Sequence, residues 1–113
     1  GEPVKQAPIY QAVEKPFIVN FATQSDSVVN YLQIKLKVMA RDQSAIDAFK
    51  LHTPAIQHTL LLLFFSQNYD VLNTREGTEI LRQQTLEAIN TILKEEQSPS
   101  LIEAVYFTSL IMQ

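Results

Sequence analysis

Leu101-Ile102-Glu103-Ala104-Val105-Tyr106-Phe107-Thr108-Ser109-Leu110-Ile111-Met112-Gln113 closes the chain. The run is rich in β-branched and aromatic residues, which suit a pleated, half-buried surface. A chain end is ordinarily frayed and polar unless it is tied down, so an end this apolar predicts a strand locked into a sheet. Read at period two, Leu101, Val105, Phe107 and Ile111 share one face, and Ile102, Ala104, Tyr106, Leu110 and Met112 share the other. Both faces are apolar. Such a strand is either covered on both sides by its own chain or presents its second face to another subunit.

The clearest alternation lies upstream, in residues 28–41. Val28, Leu32, Ile34, Leu36, Val38 and Ala40 occupy even positions, interrupted only by Asn30, while Gln33, Lys35, Lys37 and Arg41 occupy odd ones. This pattern predicts a long strand with one face on a core and the other on water or a partner. Pro16-Phe17-Ile18-Val19-Asn20-Phe21 reads as a shorter strand begun by a proline. The two are expected to pair as an antiparallel hairpin across a polar turn at 22–27.

Between these strands and the last one, the pattern turns helical. Asp42 is placed to cap a helix through Ala45, Ile46 and Phe49, and Pro54 forces a restart. The second helix runs to about Ser66, and its apolar Leu60-Leu61-Leu62-Leu63-Phe64-Phe65 half predicts burial on most sides. Asn73 with Glu76 resembles a capping box for a third helix over 75–95, whose stripe is Leu81, Leu86, Ile89, Ile92 and Leu93. Ser98-Pro99-Ser100 ends it. Two strands, about three helices and a strand predict an α+β domain, an antiparallel sheet with helices over one face.

The bulk numbers narrow the function classes. With 113 residues, 46% hydrophobic and 19% charged, the chain fits one globular domain. A net charge of −3 with scattered basic residues argues against a nucleic-acid surface, and the absence of cysteine excludes thiol chemistry. No stretch is long and apolar enough to span a bilayer. Residues 1–9, with Pro3 and Pro8, read as an extended tether, and the start at Gly1 without an initiator Met reads as a fragment whose anchor preceded it.

Reactive constellations are missing. His52 and His58 would point to different sides of a helix, a poor arrangement for a metal. Glu76 and Glu79 sit where a helix N-terminus already favours negative charge. Gly77 has no phosphate-loop companion, and Ser66, Ser98 and Ser100 have no nearby histidine in sequence. No enzyme activity, cofactor or metal is therefore expected. One candidate partner interface stands out: Gln33, Lys35, Lys37 and Arg41 on the polar face of the long strand. It is either a solvated face protected from aggregation by lysine or a patch that meets an acidic partner.

Several segments, in order, resemble the FliL family of flagellar basal-body-associated proteins. They are Pro16-Phe17-Ile18-Val19-Asn20; Tyr31-Leu32 with Leu36; Pro54 with Ile56 and the run from Leu61 to Ser66; Gly77, Leu81, Ile89 and Asn90; and Val105-Tyr106-Phe107-Thr108 with Gln113. Gln57-His58 and Ser109 depart from the family's charged pair and acidic residue. The resemblance implies the periplasmic domain of a single-pass inner-membrane protein, residues 10–113, with a stomatin-like (SPFH-like) fold. It further implies association with the flagellar stator, of the MotA/MotB or PomA/PomB type, in support of swarming or swimming motility. A homo-oligomeric ring around the stator is the implied assembly. The other reading of the same residues is a generic periplasmic adaptor or chaperone-like domain that holds a partner outside the motor.

Overall fold

The computed structural model describes residues 6–20 and 31–113. The turn expected at 22–27, and the expected strand residues Phe21 and Val28 to Asn30, lie outside the described residues. The described elements are β1 (Ile9–Ala12), β2 (Phe17–Asn20), β3 (Tyr31–Ala40), α1 (Gln43–Leu51), α2 (Thr53–Phe65), α3 (Tyr69–Leu72), α4 (Arg75–Glu95) and β4 (Ala104–Met112). The fold is α+β with an antiparallel sheet, as the patterning predicts.

The strand β3 is the spine of the sheet. Along one edge it pairs with β4, from Leu32 opposite Met112 to Met39 opposite Ala104. Along the other edge β2 and β1 follow each other end to end: Phe17 lies opposite Ile34, and Ile9 opposite Ala40. The expected antiparallel pairing of the first two predicted strands is therefore present. The additional strand β1 corrects the expected tether over residues 1–9 at its end, because Ile9 pairs with Ala40 in the sheet. Across the break between β1 and β2, the Val13 N–H donates to the Leu36 carbonyl at 3.0 Å.

The alternation along β3 decides what is buried. Leu32, Ile34, Leu36 and Val38 are at most 1% exposed, and each contributes about 1.5–3 kcal/mol by leaving water. The helices cover this face. Phe64 of α2 meets Phe17 of β2 edge to face at 5.1 Å and Phe107 of β4 at 6.4 Å, joining the helical layer to both flanks of β3. Helix α4 buries Gly77, Leu81, Thr85, Ile89 and Leu93, a row of every fourth residue. The buried Thr85 hydroxyl donates to the Leu81 carbonyl at 2.7 Å, so this polar group is satisfied.

The C-terminal strand is locked as expected. Tyr31 and Gln113 exchange backbone hydrogen bonds of 2.7 and 2.9 Å, and the Tyr31 hydroxyl donates to the Gln113 side chain at 3.0 Å. Its faces, however, are not those of a uniform period two. Lys35 pairs with Ser109 but Leu36 pairs with Phe107, so Thr108 is an extra residue in β4. This β-bulge shifts the alternation by one. Leu110 and Met112 therefore join Val105 and Phe107 against the core, and Ile111 turns to the opposite side with Tyr106. Neither option for a doubly apolar strand is needed to explain the core. β4 is a flank of the sheet, with one covered face and one exposed face.

Side chains of α4 bond the backbone of β4 and of the residues that lead into it. The Asn90 amide donates to the Ile102 carbonyl at 2.8 Å and its oxygen accepts from the Ile102 N–H at 2.9 Å. One asparagine thus does what a neighbouring strand residue would do. Further along, Arg82 Nη1 donates to the Val105 carbonyl at 3.1 Å.

The helix boundaries show two further differences. Asp42 caps α1 as expected, accepting from the Ser44 N–H at 2.8 Å, and that bond holds its carboxyl below the usual value. The cap of α4 is Thr74, one residue beyond Asn73, because the short helix α3 uses Asn73 as its C-cap. Nor is α2 buried on most sides: Leu61, Leu62 and Phe65 are 43%, 58% and 59% exposed. Only its Ile56, Leu60 and Phe64 stripe faces the core.

Gly77 marks the tightest packing. A Cβ there would lie 1.9 Å from the Val71 carbonyl oxygen, between α3 and the start of α4. In an open helix, replacing glycine with alanine is favourable by about 1 kcal/mol. Here Gly77→Ala is expected to destabilise the domain by about 1–3 kcal/mol, read by urea denaturation. A stabilised variant would show that the α3–α4 contact is looser than described.

Candidate functional site

The helices cover one face of the sheet, and the other face is where the candidate interface lies. The registers arrange its residues in rungs. Ile18, Gln33 and Ile111 form one; Lys35 and Ser109 the next; Ala12, Lys37 and Tyr106 a third; Tyr10, Met39 and Ala104 a fourth. Three of the four predicted interface residues, Gln33, Lys35 and Lys37, therefore stand in line on the open face. Beside them are apolar groups that a one-strand pattern does not reveal: Tyr10, Ile18, Tyr106 and Ile111, which are 38–58% exposed.

Lys37 is held in position. Its ammonium lies 4.9 Å from the Tyr10 ring centroid and 5.9 Å from that of Tyr106, and the two rings are 6.3 Å apart. Each such cation–π contact is worth about 0.5–1 kcal/mol at an exposed site. Lys35 is exposed and has no ion-pair partner among the described residues. Among the strand residues paired from the Tyr31 rung to the Met39 rung none on this face is acidic; the exposed Glu14 lies in the β1–β2 break, between the Lys37 and Gln33 rungs.

Arg41, the fourth predicted residue, is placed differently. It lies just past β3, where Nε donates to Glu103 at 2.7 Å and Nη1 to the Gln6 carbonyl at 2.9 Å. Its charge is matched within the chain, and it anchors residues before β1 and β4 to the end of β3. The only other ion pair among the described residues joins Arg82 to Glu79. Hydrogen bonding by Arg82 holds the Glu79 carboxyl below its usual range, and the same contact raises the guanidinium's value.

The remaining candidates do not converge. His52 forms the junction between α1 and α2, whereas His58 is exposed on α2. No group of three or more metal-ligating side chains occurs among the described residues. A cavity of about 290 Å³ opens beside the β1–β2 break, lined in part by Glu14, Lys15, Lys50 and Thr53. The Thr53 hydroxyl is already engaged with the Phe49 carbonyl at 3.0 Å. No described helix is long and apolar enough to cross a membrane.

Comparison with known proteins gives this surface a context. The family model described as flagellar basal body-associated protein FliL matches residues 10–113. A similar relative is the flagellar protein FliL of Aquifex aeolicus (strain VF5), 30% identical over 105 residues. The alignment takes in 93% of this chain and 62% of that relative, so the chain spans less than two thirds of the relative's length. Most of the described fold, with its open sheet face, falls within the matched range, and the chain belongs to the FliL family of flagellar basal body-associated proteins.

Proposed function

We propose that the protein is a non-enzymatic accessory of the flagellar motor, acting at the basal body by docking on the stator. The observation that carries this reading is the family match over residues 10–113. The open sheet face supports the docking part: aromatic residues beside well-positioned cations are what binding surfaces use as anchors. In this reading Gln33, Lys35 and Lys37 meet the partner directly, and Arg41 shapes the end of the surface. The stator complex is of the MotA/MotB or PomA/PomB type, and the contact supports torque in swarming or swimming cells.

The same proposal places the domain in the periplasm. The residues before β1 serve as a tether from a membrane-spanning helix in the full-length protein, and residues 10–113 adopt a stomatin-like arrangement. Copies of the anchored protein assemble as a homo-oligomeric ring, which requires a head-to-tail interface that closes on itself. A ring around the stator promotes its active state by binding that state more tightly than the resting one, the only way a partner shifts such an equilibrium.

Two experiments test this. Crosslinking of the full-length protein in motile cells is expected to capture stator subunits, and Lys35→Glu with Lys37→Glu is expected to shrink swarm diameter. The double variant should lose no more than about 1–2 kcal/mol of stability, the two cation–π contacts of Lys37. Absence of stator adducts, together with normal swarming of a deletion strain, contradicts the role. For assembly, light scattering of detergent-solubilised full-length protein is expected to show a defined oligomer. A monomer there would remove the ring.

A further inference from the structure

The open face also specifies the chemistry of what it holds. We propose that it binds an acidic segment of another polypeptide, with two carboxylates flanked by apolar side chains. This rests on the reading of the face as a docking surface and adds the kind of partner it fits.

The argument is charge complementarity on an apolar ground. The chain as a whole is acidic, with 12 Asp and Glu against 9 Lys and Arg. Most of its exposed carboxylates, among them Asp47 on α1 and Glu76, Glu79 and Glu87 on α4, belong to the helical layer, whereas Glu14 lies in the β1–β2 break and Glu103 is paired with Arg41. The paired strand residues of the open face carry Lys35 and Lys37 and, from the Tyr31 rung to the Met39 rung, no acid; Glu14, in the β1–β2 break beside them, is adjoined by Lys15. An acidic chain approaching this molecule is repelled by the helical side and steered to the sheet.

Position then narrows the pattern. Lys35 and Lys37 are two residues apart on one strand, so their stems rise about 7 Å from each other. Paired carboxylates at a similar spacing satisfy both. Beyond Lys35 lie Ile18 and Ile111, on either side of Gln33; beside Lys37 lie Tyr10 and Tyr106. Apolar side chains flanking the two acids would cover these groups and exclude water from the ion pairs, which strengthens them. The two tyrosines hold Lys37 in place, so less side-chain freedom is lost on binding.

The test uses the 113-residue chain and a synthetic peptide, acetyl-Leu-Gly-Glu-Gly-Glu-Gly-Leu-amide, with a second peptide carrying Gln in place of both Glu. Binding is followed by NMR titration. The Glu peptide is expected to shift the signals of Gln33, Lys35, Lys37 and Tyr106, to weaken with added salt, and to bind at least about tenfold more tightly than the Gln peptide. Lys35→Gln with Lys37→Gln should remove that preference, and Lys35→Arg with Lys37→Arg should keep most of it. Equal binding of the two peptides overturns the proposal, as does a shift pattern centred on Leu62 and Phe65. Concentration-dependent pairing of the chain through the same face, without peptide selectivity, assigns the face to a second copy and also overturns it. Stator adducts in cells without peptide selectivity would sink this inference and leave the motor role standing. Selective binding without motor adducts would do the reverse.

Discussion

β3 is hydrogen-bonded along both edges and covered by helices on one face only, and the rest of the domain follows from that asymmetry. Its even positions are sealed against α1, α2 and α4, so the helices cannot also protect the odd ones. Pairing with β4 on one side and with β1 and β2 on the other leaves a four-strand surface whose centre line is Gln33, Lys35 and Lys37. A one-residue slip of β3 would exchange its buried leucines for its lysines, and the free-energy penalty of burying two ammonium groups fixes the register firmly.

The outer strands are adapted to this spine. The bulge at Thr108 lets β4 keep Val105 and Phe107 on the core at one end and Leu110 and Met112 at the other, while Tyr106 and Ile111 face outward. Without the extra residue, Ile111 would point at the core and both Leu110 and Met112 at solvent. The opposite flank is divided in two by the break around Pro16, and β1 and β2 use separate stretches of β3. Asn90 then satisfies the backbone of Ile102 just before β4, and Arg82 bonds the Val105 carbonyl within it. Those two side chains also leave fewer free backbone groups there for stray strand pairing.

Local chemistry was readable from the residues; features that require two strands to be aligned were not. The period of β3, the Asp42 cap, the restart at Pro54 and the span of α4 all depend on neighbours close in sequence. The bulge depends on how β4 lies against β3, and nothing inside Ala104–Met112 announces it. β1 is not legible in the pattern because its four residues follow a proline-bearing segment and precede a charged break. The apolar half of α2 looked like a buried helix, yet Leu61, Leu62 and Phe65 remain exposed because the sheet and α4 reach only one stripe. For the candidate surface, alternation found Gln33, Lys35 and Lys37. The neighbours that turn those residues into an apolar, cation-bearing face come from three other strands. Arg41 kept the right period but sits at the strand's end, where Glu103 claims it.

The central claim is that this protein works through the uncovered side of its sheet. Site-specific photo-crosslinking tests it most directly, with the photoreactive group placed at Ile111 on the open face or at Glu87 on the helical side of the full-length protein in motile cells. The account predicts adducts to another motor protein from Ile111 and none from Glu87. Adducts from Glu87 alone would contradict it.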